Sequence, residues 1–215
     1  MFPGMDYFHQ LKEKINNRLD ELARNGSISD GLARKQKSYT WLYGAIGKVP
    51  TDIMFICENP SLKGIENAQA MAEKLGNEYD IEAQWWGGNA GTVFRPALCE
   101  LGLKTSPPDA IGGWECYITN VIKQANYANV HGRLTNSQKK EKAKQWADIL
   151  RWEIEKVNPR KVICVGGSAF KLVKYLSEGN IIQKKEINQV IHYSAHFLSH
   201  EEIKNRIIQT IRNIL

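Results

Sequence analysis

The sequence predicts an α/β fold, a three-layer sandwich in which helices cover both faces of a central four-stranded parallel sheet. Four short apolar runs, at 53–57, 116–119, 161–165 and 187–191, recur along the 215 residues. The first, Ile53–Cys57, is continuous rather than alternating, as a strand buried on both faces is. Stretches of helical period separate the four runs, and strands that alternate with helices assemble into parallel sheets.

Residues 6–24 carry Phe8, Leu11, Ile15, Leu19 and Leu22 at steps of three and four, an amphipathic helix closed by Gly26. Residues 26–50 are irregular, and Arg34, Lys35 and Lys37 precede Tyr39, Trp41 and Tyr43. Aromatics beside positive charge can stack nucleobases, but an aromatic-rich core segment is the commoner use of the pattern. Residues 1–50 are thus expected to be a helical extension on a single domain spanning 1–215. After the first strand the pattern predicts a helix at 65–75, then the glycine-rich loop Trp85-Trp86-Gly87-Gly88-Asn89-Ala90-Gly91. A helix at 92–102 follows, with Val93, Ala97, Leu98 and Leu101 on one face, and Pro107-Pro108 breaks the chain. Beyond the second strand, residues 123–144 are polar and basic, which usually marks a solvated face. They lead into a long helix at 137–157, capped by Asn136 or Ser137 and buried through Trp146, Ile149, Leu150 and Ile154. The third strand feeds a helix at 168–177 through Gly166-Gly167-Ser168. Ser199 and Glu202 make a capping box for a last helix at 200–214, with Ile203, Ile207 and Ile211 inward.

The net charge of +6 suggests a polyanionic partner such as nucleic acid, though proteins that touch none also carry such an excess. The cysteines Cys57, Cys99, Cys116 and Cys164 are widely spaced, without a CxxC pair. They read as small core residues of a protein in a reducing cytoplasm, not as ligands of zinc or iron-sulfur. No apolar stretch approaches eighteen residues and no signal-peptide pattern follows Met1, so a cytoplasmic chain without a membrane partner is expected.

All four strands end in small or polar residues: Glu58-Asn59, Asn120, Gly166-Gly167-Ser168 and His192-Tyr193-Ser194. In a parallel sheet these converge on the rim where ligands bind. The rim then offers two carboxamides, an imidazole, hydroxyls and a glycine-rich helix start whose free N–H groups favour an anion. It has no Ser-His-Asp set and no Walker lysine. His192, His196 and His200 recur every fourth residue, but the first two flank a strand end and loop, so no metal site is expected.

On these motifs the chain resembles the uracil-DNA glycosylase superfamily. Cys57-Glu58-Asn59-Pro60-Ser61 is similar to its first motif, and His192-Tyr193-Ser194-Ala195 to its histidine-proline-serine second motif. Between them Gly88-Asn89-Ala90-Gly91 with residues 98–103, Tyr117-Ile118-Thr119-Asn120-Val121-Ile122-Lys123, and residues 159–167 follow the thermostable branch in order and spacing. There are departures. Glu58 is similar to the glutamate of the thermostable branch, whereas Asn59 is similar to the asparagine of the mismatch-specific and single-strand-selective branches. Ser61 stands where glycine is common, as in the hypoxanthine-processing branch, and Tyr193 replaces the usual proline. The cluster-holding cysteines of the thermostable branch are absent, so no cofactor and no iron-sulfur cluster are implied.

The resemblance implies a monofunctional DNA glycosylase that hydrolyses the N-glycosidic bond of uracil or a related deaminated base in base excision repair, acting as a monomer on DNA. Such an enzyme must take the nucleotide out of the stack and hold it by its Watson–Crick edge. The Asn120 carboxamide can pair with O4 and N3–H of uracil and reject the reversed pattern of cytosine. Trp86 falls where the family has a stacking aromatic. His192 would donate a hydrogen bond to the departing base, and Asn59, unable to remove a proton, would orient the attacking water. Glu58 is a third catalytic candidate, either as a base or as an acceptor of loop N–H groups. Ser61, Ser168, Ser194 and Lys123 are candidates for phosphate contacts, and His196 or Phe197 for the wedge that fills the vacated stack. A catalytically silent relative that binds DNA or a modified nucleotide is the alternative, motivated by Ser61 and Tyr193. A nucleotide-binding enzyme built on Gly166-Gly167-Ser168 is disfavoured, because a full GxGxxG and its distal acid are lacking.

Overall fold

The computed structural model describes residues 3–38, 45–64, 66, 88–108, 110, 112–126 and 128–215. Five strands form one sheet in the order β1-β3-β2-β4-β5. They are β1 (Ile46–Gly47), β2 (Ile53–Cys57), β3 (Tyr117–Asn120), β4 (Lys161–Val165) and β5 (Ile187–Val190). β2, β3, β4 and β5 are mutually parallel, in register at Cys57↔Asn120, Ile56↔Cys164 and Val165↔Val190. These are the four expected strands. β1 adds an antiparallel edge beside β3 that two residues could not announce. Only glycine fits at its second position: Gly47 has φ +121°, and a β-carbon there would lie 2.1 Å from the Cys116 carbonyl oxygen.

Side chains of β2 and β4 alternate between two cores, which is why those runs are apolar, whereas the edge strand β5 exposes Gln189. Met54, Ile56, Tyr117, Val162 and Cys164 face one core; Phe55, Cys57, Ile118, Ile163 and Val165 face the other. The first core is closed by α1 (Pro3–Arg24), α6 (Ala147–Val157) and α7 (Gly167–Glu178). α1 enters it through Leu11, Ile15, Leu19 and Leu22, the stripe legible in the sequence. The second is closed by α3 (Arg95–Glu100), through Ala97 and Leu98, and by α8 (His200–Ile214), through Ile203, Ile207 and Ile211. Two sheet faces under two helical layers make the predicted three-layer α/β sandwich.

Several elements differ in detail. α2 (Asp30–Ser38) occupies part of the segment read as irregular. α3 is entered through a π-helical stretch, Ala90–Phe94, rather than starting at 92. Beyond α4 (Ala128–His131), the long helix expected at 137–157 is two: α5 (Asn136–Gln145) and α6, broken at Trp146, whose φ of −112° leaves the helical region. Trp146 is fully buried, whereas Ala143 is the buried residue of α5, so the break seats the indole while α5 stays on the surface. The cap of α5 is Thr135, not Asn136 or Ser137, in a capping box with Gln138. The helix expected at 65–75 lies, apart from Glu66, outside the described residues. Cys57, Cys116 and Cys164 are buried free thiols and Cys99 is half-buried. No helix among the described residues is long and apolar enough to cross a membrane.

Candidate active site

Because β2 to β5 are parallel, their carboxyl ends share one rim, and β2 lies at its centre between β3 and β4. Backbone pairing continues past the strand ends: Val121 N–H donates to the Cys57 carbonyl and Ile122 N–H to that of Glu58, both at 2.9 Å. Gly166 N–H donates to the Val190 carbonyl, also at 2.9 Å. These bonds fix Glu58-Asn59, Asn120, Gly166–Ser168 and His192 relative to one another. Asn120, the last residue of β3, is 2% exposed, so a ligand must enter the rim to meet its carboxamide.

Glu58 is a bound anion. Its carboxylate, 19% exposed, accepts from His131 Nε2 at 2.9 Å and Lys139 Nζ at 2.7 Å. Burial pushes its pKa up, but hydrogen bonds from His131, Lys139 and Ser168 outweigh that and hold it at about 2. A carboxylate so acidic is a poor general base. His131 and Lys139 were invisible as partners in the sequence: His131 lies 73 residues away, and Lys139 sits in a lysine run.

Asn59 donates from Nδ2 to the Pro60 carbonyl at 3.0 Å, and its carboxamide oxygen is an acceptor. His192 is held in a definite tautomer. The Ser194 backbone N–H donates to its Nδ1 at 3.1 Å, and since a backbone N–H only donates, the neutral ring carries its proton on Nε2. Burial lowers the His192 pKa, the Glu58 charge raises it and His196 lowers it, with a net shift below the ordinary 6.5. Tyr193, where the resemblance leads one to expect proline, is integrated into the packing. Its ring lies 4.3 Å from that of His192 and 5.4 Å from that of Phe94, and its hydroxyl bonds with the Cys57 thiol.

The serines have separate tasks in the free protein. Ser61 Oγ accepts the Gly64 N–H at 3.2 Å, capping a short turn, while remaining exposed. The Ser168 side chain bonds to Glu58, and the half-buried Ser194 orients His192. His196 is exposed, and Phe197 is 78% exposed, an unusual position for an aromatic ring. Lys123 is a correction. At 1% exposure it is ion-paired with Glu153 inside the first core, in the turn that follows β3, and it is out of reach of a phosphate. Trp86 lies outside the described residues. Hollows of about 310 Å³ occur by Phe8, Gly47 and Trp114 and by Lys14, Asn17 and Arg24. Neither touches the rim; convergent polar strand ends mark the site, not the volume of a hollow.

A model of the uracil DNA glycosylase superfamily matches residues 45–212, a span that contains every rim residue from Glu58 to Phe197. A search of curated proteins gives no match.

Proposed function

The chain belongs to the uracil DNA glycosylase superfamily, and from that membership we propose that it is a monofunctional glycosylase removing uracil or a related deaminated base from DNA. The observation that carries the reading is the fixed tautomer of His192, which leaves Nε2–H as a donor at the rim. Breaking the N-glycosidic bond leaves an oxocarbenium-like sugar and sends the bonding electrons to the base. The Nε2–H bond to that growing charge is worth about 3 to 4 kcal/mol by analogy with an oxyanion-hole donor. A neutral imidazole suits the task, and burial favours the neutral form.

The flipped base enters far enough to pair with Asn120, whose donor and acceptor match N3–H and O4 of uracil. Asn59 orients water toward the sugar through its carboxamide oxygen. Glu58, anionic and fully provided with donors, does not take the proton of that water; its charge favours the cationic sugar. Water adds to the anomeric carbon, and its proton passes to the departing base or to solvent. Protein groups and water suffice for these steps, without a cofactor. Phe197 suits the wedge, since an exposed ring beside the rim can enter the stack. Ser61, Ser194 and His196 are left for the backbone phosphates, Ser168 being engaged by Glu58. Trp86 remains the proposed stacking face. The free cysteines fit a reducing cytoplasm.

A second reading, a silent relative that binds DNA without cleaving it, is favoured by one feature: neither Asn59 nor Glu58 with its pKa of about 2 can serve as a base. The test is incubation with single- and double-stranded oligonucleotides carrying one uracil or hypoxanthine, followed by hot alkali and a sizing gel. Strand cleavage that is lost in both Asn59→Ala and His192→Ala supports the glycosylase. Retention of the lesion DNA in a gel shift without cleavage selects the binder.

A further inference from the structure

Beneath the rim, on the face of β3 opposite to Asn120, a chain of polar groups runs through the first core. Glu153 of α6 is fully buried. Its Oε1 accepts from the hydroxyls of Tyr117 and Thr119, each at 2.7 Å, and its Oε2 is paired with the Lys123 ammonium. Lys123 also donates to the Thr119 hydroxyl at 2.6 Å. On the far side Tyr7 of α1 donates to the Tyr117 hydroxyl at 2.8 Å. Every hydroxyl proton in the chain has one direction, and all of them lead to Glu153.

Core packing alone does not account for this network. Replacing a buried ion pair with apolar side chains of like volume is commonly neutral or stabilising, so the pair's use lies elsewhere, in geometry. The geometry is specific: a single carboxylate grips β3 at Tyr117 and Thr119 and grips the following turn at Lys123. Asn120 lies between the last two. Strand alternation turns its side chain to the other face, away from the network, so its direction depends on the backbone that the network pins from behind. Pairing to a base edge tolerates an error of only about 0.5 Å and 10–20°.

We infer that Lys123 and Glu153 are positioning residues for Asn120, fixing the backbone at 119–123 so that the carboxamide meets the base at one angle. The use of that angle rests on the glycosylase reading. Tyr7 extends the device to α1, which precedes the region matched by the family, residues 45–212. Through Tyr7 the N-terminal helix is joined to the network behind Asn120.

The test uses the full chain with Lys123→Met and Glu153→Leu combined, and Tyr7→Phe alone. Melting temperature, amide hydrogen exchange at 119–123 and single-turnover excision of uracil are measured on each. The double variant, whose Tyr117 and Thr119 hydroxyls lose their acceptor, is expected to melt below the wild type and to exchange faster at 119–123 than elsewhere in the sheet. Excision should fall about ten- to a hundredfold with DNA affinity and its salt dependence unchanged. Tyr7→Phe should move exchange and excision the same way by about two- to threefold, because one hydrogen bond is a modest contribution. It decides the matter if the double variant does not fold. Wild-type exchange at 119–123 in the variants overturns the inference, as does wild-type excision. If the wild type itself excises nothing, the glycosylase reading fails, and exchange alone then judges whether Lys123 and Glu153 hold Asn120.

Discussion

His192 rests against the bare α-carbon of Gly166: a β-carbon at Gly166 would lie 3.1 Å from both Cβ and Cδ2 of the imidazole. Gly166 also has φ +91° and ψ 156°, a conformation that side chains resist. The glycine at the end of β4 is thus the floor on which the ring lies. Gly166→Ala should cost about 1 to 3 kcal/mol of stability through backbone strain. Displacing the ring should also reduce excision of uracil about tenfold or more, with DNA affinity kept. Chemical denaturation and single-turnover kinetics would measure the two losses separately.

The acid side of the pH profile should report His192. On the proposed mechanism the neutral ring is the active form, and burial moves its pKa below 6.5, so kcat/KM should stay flat down to that value and fall only at lower pH. On protonation Nδ1 acquires a hydrogen that opposes the Ser194 N–H, and the orienting bond is lost. The Glu58 charge raises this pKa, so Glu58→Gln should shift the acid limb to still lower pH. A limb at or above 6.5, or a shift in the other direction, would contradict the assignment.

Glu58 should make stability fall in acid. Its folded pKa of about 2 lies below the ordinary 4.5, so its contribution is complete above 4.5 and is lost as pH falls through 2. Glu58→Gln should therefore lower stability at neutral pH by about 1 to 2 kcal/mol, allowing for solvent screening of a partly exposed group. It should also flatten stability against pH between 4.5 and 2. Urea denaturation at a series of pH values compares the slopes.

Phe197→Ala should leave the melting temperature unchanged, because the ring is 78% exposed and supports little of the core. Excision from duplex DNA should fall about tenfold, and from single strands about twofold or less, since only the duplex has a stack to refill. Equal losses on both substrates would assign the ring to another task.

β2 and β4 were legible because doubly buried strands are written as apolar runs, and Ile53–Cys57 and Lys161–Val165 coincide with their predicted bounds. β1 was not legible, since Ile46-Gly47 is too short to carry any period. The break at Trp146 was hidden because its side chain continues the apolar stripe on both sides, while the change is in the backbone. Lys123 misled for a physical reason. A lysine that opens a basic stretch reads as solvated, and what pairs with it in the core is Glu153 of α6, thirty residues on. The rim, with Ser168 in it, could be predicted as a meeting of strand ends, whereas the donors His131 and Lys139 that also hold Glu58 come from α4 and α5 and leave no local pattern.

The sheet is also directional as an object to be handled. Its strands begin at the opposite edge, where Asp52 and Arg160 stand 4.0 Å apart and are 69% and 81% exposed. A five-residue strand spans roughly 17 Å, which separates that edge from the chemistry. An Arg160→Cys variant carrying a thiol-reactive linker would therefore anchor the molecule to glass with the carboxyl-end rim uppermost. Single DNA molecules could then be stretched across it without the tether in their way.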